Sequence, residues 1–280
     1  MSLDIERWLR RPKIDVHCHV WNLDNEADEV TSAERLIWTG DLLGITEYWC
    51  SSPITGGRLA SIEEVRAEND AVLRAMKRFP DHIRGLCFVI PGHYQHALDE
   101  IDRCLDAGMI GLKLYNQYRI DDPAVYPVLE RIIECKVPLL EHAGLPTARE
   151  FLDAQPQISN GQHFAEMNRR YPEAMVIHAH IGGGGDWENT IRAMRGTSPN
   201  LVCDVSGSNL DDGQVELAVA EMGADRVLFG TDGTMNGSVG KVIDATLTDE
   251  EKDMIFWGNA ERILAAQGAA PIRTGKEASA

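Results

Sequence analysis

Seven side chains able to bind metal or move protons recur at one kind of position in this sequence, at or near the end of a short apolar segment. His17 and His19 flank Cys18 in Ile14-Asp15-Val16-His17-Cys18-His19-Val20-Trp21. Lys113 sits in Gly111-Leu112-Lys113-Leu114-Tyr115. His142 ends the run from Val137, His178 and His180 end the run from Ala174, and Asp232 follows Phe229-Gly230-Thr231. Side chains on a strand alternate between faces, so His17 and His19 are expected on one face and Cys18 on the other. By the same rule His178 is expected to share the face of His180, one layer lower. Each residue alone has an ordinary reading: His142 as a core histidine, Asp232 as a turn residue, Lys113 as a helix cap or surface charge. Taken together, imidazoles plus one carboxylate suit Zn²⁺, and also Mn²⁺ or Fe²⁺.

The elements that must carry these residues are legible as an alternation. Strands are expected at 14–21, 45–51, 83–90, 109–115, 137–142, 174–181, 201–206 and 226–230. Helices are expected at 33–43 with Ser32 as cap, and at 61–79, 94–107 and 123–134. Two more lie within 146–170, and the rest at 187–195, 212–222 and 249–266. Ser61 with Glu64 has the spacing of a capping box, and Pro123 suits a helix start. Eight strands alternating with helices over about 250 residues indicate an α/β fold of the (β/α)8 TIM-barrel type. An open nucleotide-binding sheet would place a glycine-rich loop after the first strand, where this chain has histidines. In such barrels the site lies at the C-terminal strand ends, where these seven residues fall. No linker divides the chain, so residues 1–280 are read as one domain, with 267–280 expected to fray.

Bulk properties narrow the partners. Of 280 residues, 44% are hydrophobic and 25% charged, an ordinary globular composition. No apolar run reaches the roughly 20 residues that span a bilayer. The start of the chain lacks the apolar stretch of a secretory signal, so a cytoplasmic location is expected. A net charge of −17 argues against nucleic acid and anionic membranes as partners. It leaves room for a small anionic substrate, because a metal and a few local cations can dominate a pocket. Six scattered cysteines without a Cys-x-x-Cys pair are expected to be free thiols. Homo-oligomerisation is left open.

The motifs in this order resemble the amidohydrolase superfamily, specifically the amidohydrolase-related group of decarboxylases, lactonases and hydratases. Asp15-Val16-His17-Cys18-His19 is similar to its Asp-x-His-x-His start, and Gly111-Leu112-Lys113-Leu114 to its Gly-x-Lys-x strand. The segment from Pro138 to Gly144, His180-Ile181-Gly182-Gly183, Phe229-Gly230-Thr231-Asp232 and the closing helix around Gly258-Asn259-Ala260-Glu261 also match. The resemblance implies one divalent metal, zinc first and manganese second, on His17, His19, His142 and Asp232. His180 and Asp232 would be catalytic, with His180 beside the metal and Asp232 moving the proton. Lys113, His178 and Tyr115 would bind a carboxylate-bearing small molecule.

The leading expectation is a hydrolase, in which metal-activated water attacks a lactone, ester or C–N bond. The alternative is a non-oxidative decarboxylase or hydratase of an aromatic or muconate-like acid. A two-metal site with carboxylated Lys113 stays open. Arg119 and Arg149 are further candidates for the substrate carboxylate, and Trp21, Trp38 and Trp49 for the pocket wall. Two departures from the group's pattern stand out. Gly233 follows Asp232 where an aromatic is usual, and Glu141 precedes His142. Glu141 is expected to face the helix layer and meet a cation there.

Overall fold

The computed structural model describes residues 4–21, 28–146, 149–181, 185–207 and 209–272. Parts of the expected 22–31 loop, of the glycine run 182–185 and of the 267–280 tail fall outside these residues. Eight parallel strands form one sheet in the order β1 to β8. They are β1 Lys13–His19, β2 Ile45–Ser51, β3 Ile83–Phe88, β4 Gly111–Leu114, β5 Leu139–Glu141, β6 Val176–His178, β7 Leu201–Asp204 and β8 Val227–Leu228. The ends of the sheet meet. The Val16 N–H donates to the Phe229 carbonyl at 3.0 Å, and the Asp232 N–H donates to the His17 carbonyl at 2.8 Å. Asp15 fastens the same seam, accepting from the Thr231 N–H at 2.9 Å and the Thr231 hydroxyl at 2.6 Å. Gly230 is needed there. A Cβ on it would stand 3.0 Å from the Cβ of His17 and 3.1 Å from that of Asp204, with no slack on either side. The result is a (β/α)8 barrel, as the alternation of elements predicts.

Strand register sorts the residues into two layers. Lys113, Leu140, Ile177 and Val202 are aligned neighbours across β4 to β7. The last three join Ile14, Val16, Trp49, Leu86 and Leu228 in the barrel interior. Leu112, Leu139, Val176 and Leu201, one residue earlier, face the helices. Among those helices are α3 Ile62–Arg78, α4 Gln95–Asp106, α5 Tyr126–Cys135, α7 Gly161–Arg170, α8 Trp187–Met194 and α9 Gln214–Met222. Ala260, Ile263 and Leu264 of the last helix, α12 Asn259–Ala266, join the interior cluster with Ile110. They therefore lie under the N-terminal end of the barrel and leave the opposite end for a site.

The local signals are physical. Ser61 and Glu64 form the reciprocal capping box, which satisfies two helix-end donors. Three helical features differ from expectation. The helix α2 spans Asp28–Asp41, so Ser32 lies inside it and is not its cap. The short α1 Ile5–Arg10 and the helix α10 Met235–Asp244 were not expected. Two glycines, Gly237 and Gly240, weaken the helical pattern of α10; Val239, Val242 and Ile243 are buried and anchor it. Within the described residues no helix is long and apolar enough to cross a membrane.

Candidate metal centre

The simple alternation that directs His17 and His19 inward is interrupted in β1. Val16 and His17 both face the interior, and the pairing of β1 with β2 shifts register between Asp15 and Cys18. Cys18 then packs in the outer layer with Tyr48 and Cys50. His180 reaches the same place by another route. It stands two residues beyond the end of β6 with φ +63°, a left-handed backbone rare for histidine. Asp232 has φ +47°. Two non-glycine residues in that region mark backbone strain held by surrounding contacts.

The result is a tight cluster. The His19 Nε2 is 3.0 Å from Asp232 Oδ1, the His17 Nε2 is 3.8 Å from it, and the His180 Nε2 is 3.7 Å from Asp232 Oδ2. The His142 Nδ1 lies 3.1 Å from His180 Nε2. The metal-type atoms of His17, His180 and Asp232 all fall within 4.8 Å of one another. The Lys113 Nζ reaches the cluster as well, 3.1 Å from His17 Nε2. Tyr115 stacks on His142 with ring centres 4.0 Å apart.

The outer hydrogen bonds set the tautomers. The His17 Nδ1–H donates to Asp204 Oδ2 at 2.9 Å, and the His19 Nδ1–H donates to the Ser51 carbonyl at 3.2 Å. His180 Nδ1 bonds the Ser206 hydroxyl at 2.8 Å, and that hydroxyl donates to Asp204 Oδ1. Each ring therefore turns an Nε2 lone pair towards Asp232, which is the arrangement a bound cation requires. Asp204 also accepts from the His180 N–H at 3.1 Å and the Ser206 N–H at 2.9 Å. Sequence reasoning missed Asp204 and Ser206. Their signal was position, since Asp204 ends β7 and Ser206 lies two residues beyond, as the other site residues fall at or just past their strand ends. The Lys241 ammonium on α10 grips the same turn, donating to the Val205 carbonyl at 2.9 Å and the Gly207 carbonyl at 3.0 Å.

The electrostatics keep the donors in ligating form. Burial holds His19 and His142 below the ordinary imidazole range and takes His180 down to about 3. Metal ligands must be neutral imidazoles, so these shifts favour binding. Burial alone would raise Asp232, but His17, His19 and His180 outweigh it and hold the carboxylate far below its usual range. The donor set thus fits a divalent metal. Burial lowers Lys113 to about 8, with Asp232 and Asp204 opposing, so it is mainly a cation at neutral pH. Tyr115 is raised to about 12 by burial and by Asp232, and stays a neutral phenol.

Several expected residues lie elsewhere. His178 is fully buried but aligns with Glu141 and Cys203 on the helix side, its ring 4.3 Å from that of Phe164 on α7. The expectation that it shares the face of His180 fails because the backbone reverses hand at His180. Glu141 does face the helix layer, yet its partner is the Ser159 hydroxyl at 3.3 Å and no cation pairs with it among the described residues. Burial raises its carboxyl well above the usual range, so a neutral acid needs no cation. Arg119 lies 3.8 Å from Asp121, and Arg149 pairs with Asp153 on the surface. Trp38 is 70% exposed and Trp49 belongs to the barrel interior. Trp21 lies against His19, with ring centres 4.9 Å apart.

The sequence profile of the family described as Amidohydrolase matches residues 14–265, nearly the whole chain and every member of the cluster. The chain belongs to the amidohydrolase family. No curated protein matches it. Solved structures do, at low identity. One is a dihydroxybenzoic acid decarboxylase from Polaromonas sp. JS666 with bound manganese and the inhibitor 2-nitroresorcinol (19% identity, TM-score 0.69, covering 90% of this chain and 96% of that one). Another is 4-oxalomesaconate hydratase from Rhodopseudomonas palustris (18%, TM-score 0.69, covering 91% and 96%). A third is 5-carboxyvanillate decarboxylase from Sphingomonas paucimobilis (19%, TM-score 0.65, covering 91% and 98%). These likenesses carry the fold. The amidohydrolase assignment makes the chain a metal-dependent enzyme of that superfamily.

Proposed function

We propose that this amidohydrolase is a lyase that removes CO2, without oxidation, from a small aromatic or muconate-like carboxylic acid. The observation that carries the reading is the buried Lys113 ammonium. Its Nζ stands in the cluster beside His17 and forms no ion pair with a carboxylate among the described residues. A buried cation without a paired anion favours an incoming carboxylate, as a point charge in a low-dielectric pocket. The decarboxylases and the hydratase of the same fold support the choice over hydrolysis, which becomes the second reading. Asp232, held ionised, would serve that second reading as the base for a water.

His17, His19, His142 and Asp232 are the expected holders of one divalent metal, manganese or zinc, and His180, expected only beside it, joins them as a candidate ligand because its Nε2 stands 3.7 Å from Asp232 Oδ2. Such a metal supplies a Lewis acid that favours oxygen anions on the substrate. Lys113 binds and orients the substrate carboxylate, and Tyr115 braces the His142 ring. Asp232 takes the proton of a substrate hydroxyl on binding. With a hydroxyaromatic acid, as the bond to the carboxyl carbon breaks and CO2 leaves, the electron pair stays on the ring carbon, and Asp232 returns the proton there. The oxygen anion left behind is protonated from solvent after release.

The test is to load the protein with Mn²⁺ and incubate it with 2,6-dihydroxybenzoate, 5-carboxyvanillate and 4-oxalomesaconate beside a panel of lactones. CO2 release from one of the acids, with incorporation of one solvent deuterium at the vacated carbon, is expected. Turnover of lactones with no CO2 from any acid would replace this reading with hydrolysis.

A further inference from the structure

Lys241 is the only basic residue of α10, and its ammonium is turned inward. It donates to the Val205 carbonyl at 2.9 Å, the Gly207 carbonyl at 3.0 Å and the Ser206 carbonyl at 3.5 Å. Three N–H donors thus meet three consecutive acceptors. These carbonyls belong to buried residues just past the last paired residues of β7 and β8. Buried carbonyls need a partner, and the one lysine serves all three. Burial lowers Lys241 to about 8, with Asp204 opposing, so it stays mainly charged at neutral pH.

The turn held in this way carries Ser206. Its hydroxyl donates to Asp204 Oδ1 and lies 2.8 Å from His180 Nδ1 and 3.2 Å from His17 Nδ1. The head of α10 grips the same turn from the other side. Thr234, the N-cap, places its hydroxyl 2.7 Å from the Thr231 carbonyl and 3.3 Å from the Gly207 carbonyl. One helix therefore braces the segment that bears Asp232 and the turn that orients His180.

We propose that Lys241 is a positioning residue for the metal centre. By gripping the 205–207 turn it holds the Ser206 hydroxyl against His180, and so fixes which ring nitrogen faces Asp232. Without the ammonium, three buried carbonyls lose their donor and the turn must shift to find water. Ser206 moves with it, and His180 Nδ1 loses its acceptor. The ring can then carry its proton on Nε2, which cannot ligate while protonated. His19 lies outside this chain of contacts, because its Nδ1 bonds Ser51 on β2. It serves as an internal control. The proposal rests on the metal centre and is independent of whether the enzyme releases CO2.

The experiment titrates Mn²⁺ against a fluorescent chelator at pH 7.0, using the full chain as wild type, Lys241→Met, Ser206→Ala and the double variant. Thermal melts and 15N spectra of the metal-free, histidine-labelled proteins accompany it. Ser206→Ala should weaken Mn²⁺ about tenfold and Lys241→Met roughly fivefold. The double variant should stay within about twofold of Ser206→Ala, since the lysine acts through the serine. In Lys241→Met the His180 signals should move from a single Nδ1–H tautomer towards a mixture, while those of His19 stay in place. Should Lys241→Met fail to fold, Lys241→Gln, with fewer donors, is read by the same criteria. Unchanged Mn²⁺ affinity and His180 signals beside a lowered melt would overturn the proposal and leave Lys241 a brace of the fold. Losses that multiply to about fiftyfold in the double variant would overturn the route through Ser206. A wild type that binds no Mn²⁺ would overturn the metal reading alone, because the metal-free spectra still decide the role of Lys241.

Discussion

Replacing Asp204 with Asn removes one charge and almost no volume, yet it should loosen the hold on a metal. Asp204 Oδ1 accepts from three donors, the His180 N–H, the Ser206 N–H and the Ser206 hydroxyl, while Oδ2 accepts from His17 Nδ1. An amide in that place keeps its oxygen where three donors converge. Its NH2 group then faces His17 Nδ1, donor against donor. To escape, His17 must give up the Nδ1 proton and carry it on Nε2, the nitrogen aimed at Asp232. A protonated Nε2 cannot ligate a metal. Loss of such an orienting partner costs roughly 10- to 100-fold in metal affinity, or about 1.4–2.7 kcal/mol. The assay is Mn²⁺ titration against a fluorescent chelator at pH 7.5, beside a thermal melt of the metal-free protein. Asp204→Asn should weaken binding by that factor and leave the metal-free melt nearly unchanged, since three of four hydrogen bonds survive. Asp204→Ala, which orphans those buried donors, should also cost about 1–3 kcal/mol of fold stability. Asp204→Asn binding within twofold of wild type would refute the tautomer argument.

Asp232→Asn should lower turnover of the best substrate by at least about a hundredfold, through loss of proton transfer, while elemental analysis still finds metal retained on the histidines. Ser61→Ala removes the half of the α3 capping box in which the Ser61 hydroxyl accepts from the Glu64 N–H, and should cost about 1 kcal/mol in a urea melt with no effect on metal binding. Acid should destabilise the protein through His178. Burial depresses it from 6.5 to about 4, so the unfolded chain takes up a proton that the folded chain refuses. Its contribution is present above pH 6.5 and is lost as pH falls towards 4, by about 3 kcal/mol at the limit. His178→Leu should therefore melt with a shallower pH dependence between 6.5 and 4 than wild type, followed by calorimetry.

The barrel was legible because its two periods are strong. The bounds of β2 come out as expected at Ile45–Ser51, since β-branched and aromatic residues lie between Gly44 and the loop that begins at Ser52. The longest helix, α3, is bracketed by its capping box and by Pro80. The strand-end residues His17, His19, Lys113, His142, His180 and Asp232 do gather at one end of the barrel. What the pattern could not show is what breaks the pattern. The left-handed backbone at His180 sends His178 and His180 to opposite sides of the wall, and no periodicity announces a single φ. Asp204-Val205-Ser206 reads as an ordinary polar strand end until its hydrogen bonds are seen.

The seam between β8 and β1 has a consequence for the ligand set. Asp15 and Thr231, bonded across it, are 216 residues apart. His17 and Asp232 stand on the two lips. Their ligating atoms face each other only where the β8 end closes against β1, so the donor set exists only in the closed barrel. An ion held by His17 and Asp232 would tie the first strand to the end of the last. A barrel opened along this line would separate His17 and His19 from Asp232 and lose the ligand set with the closure.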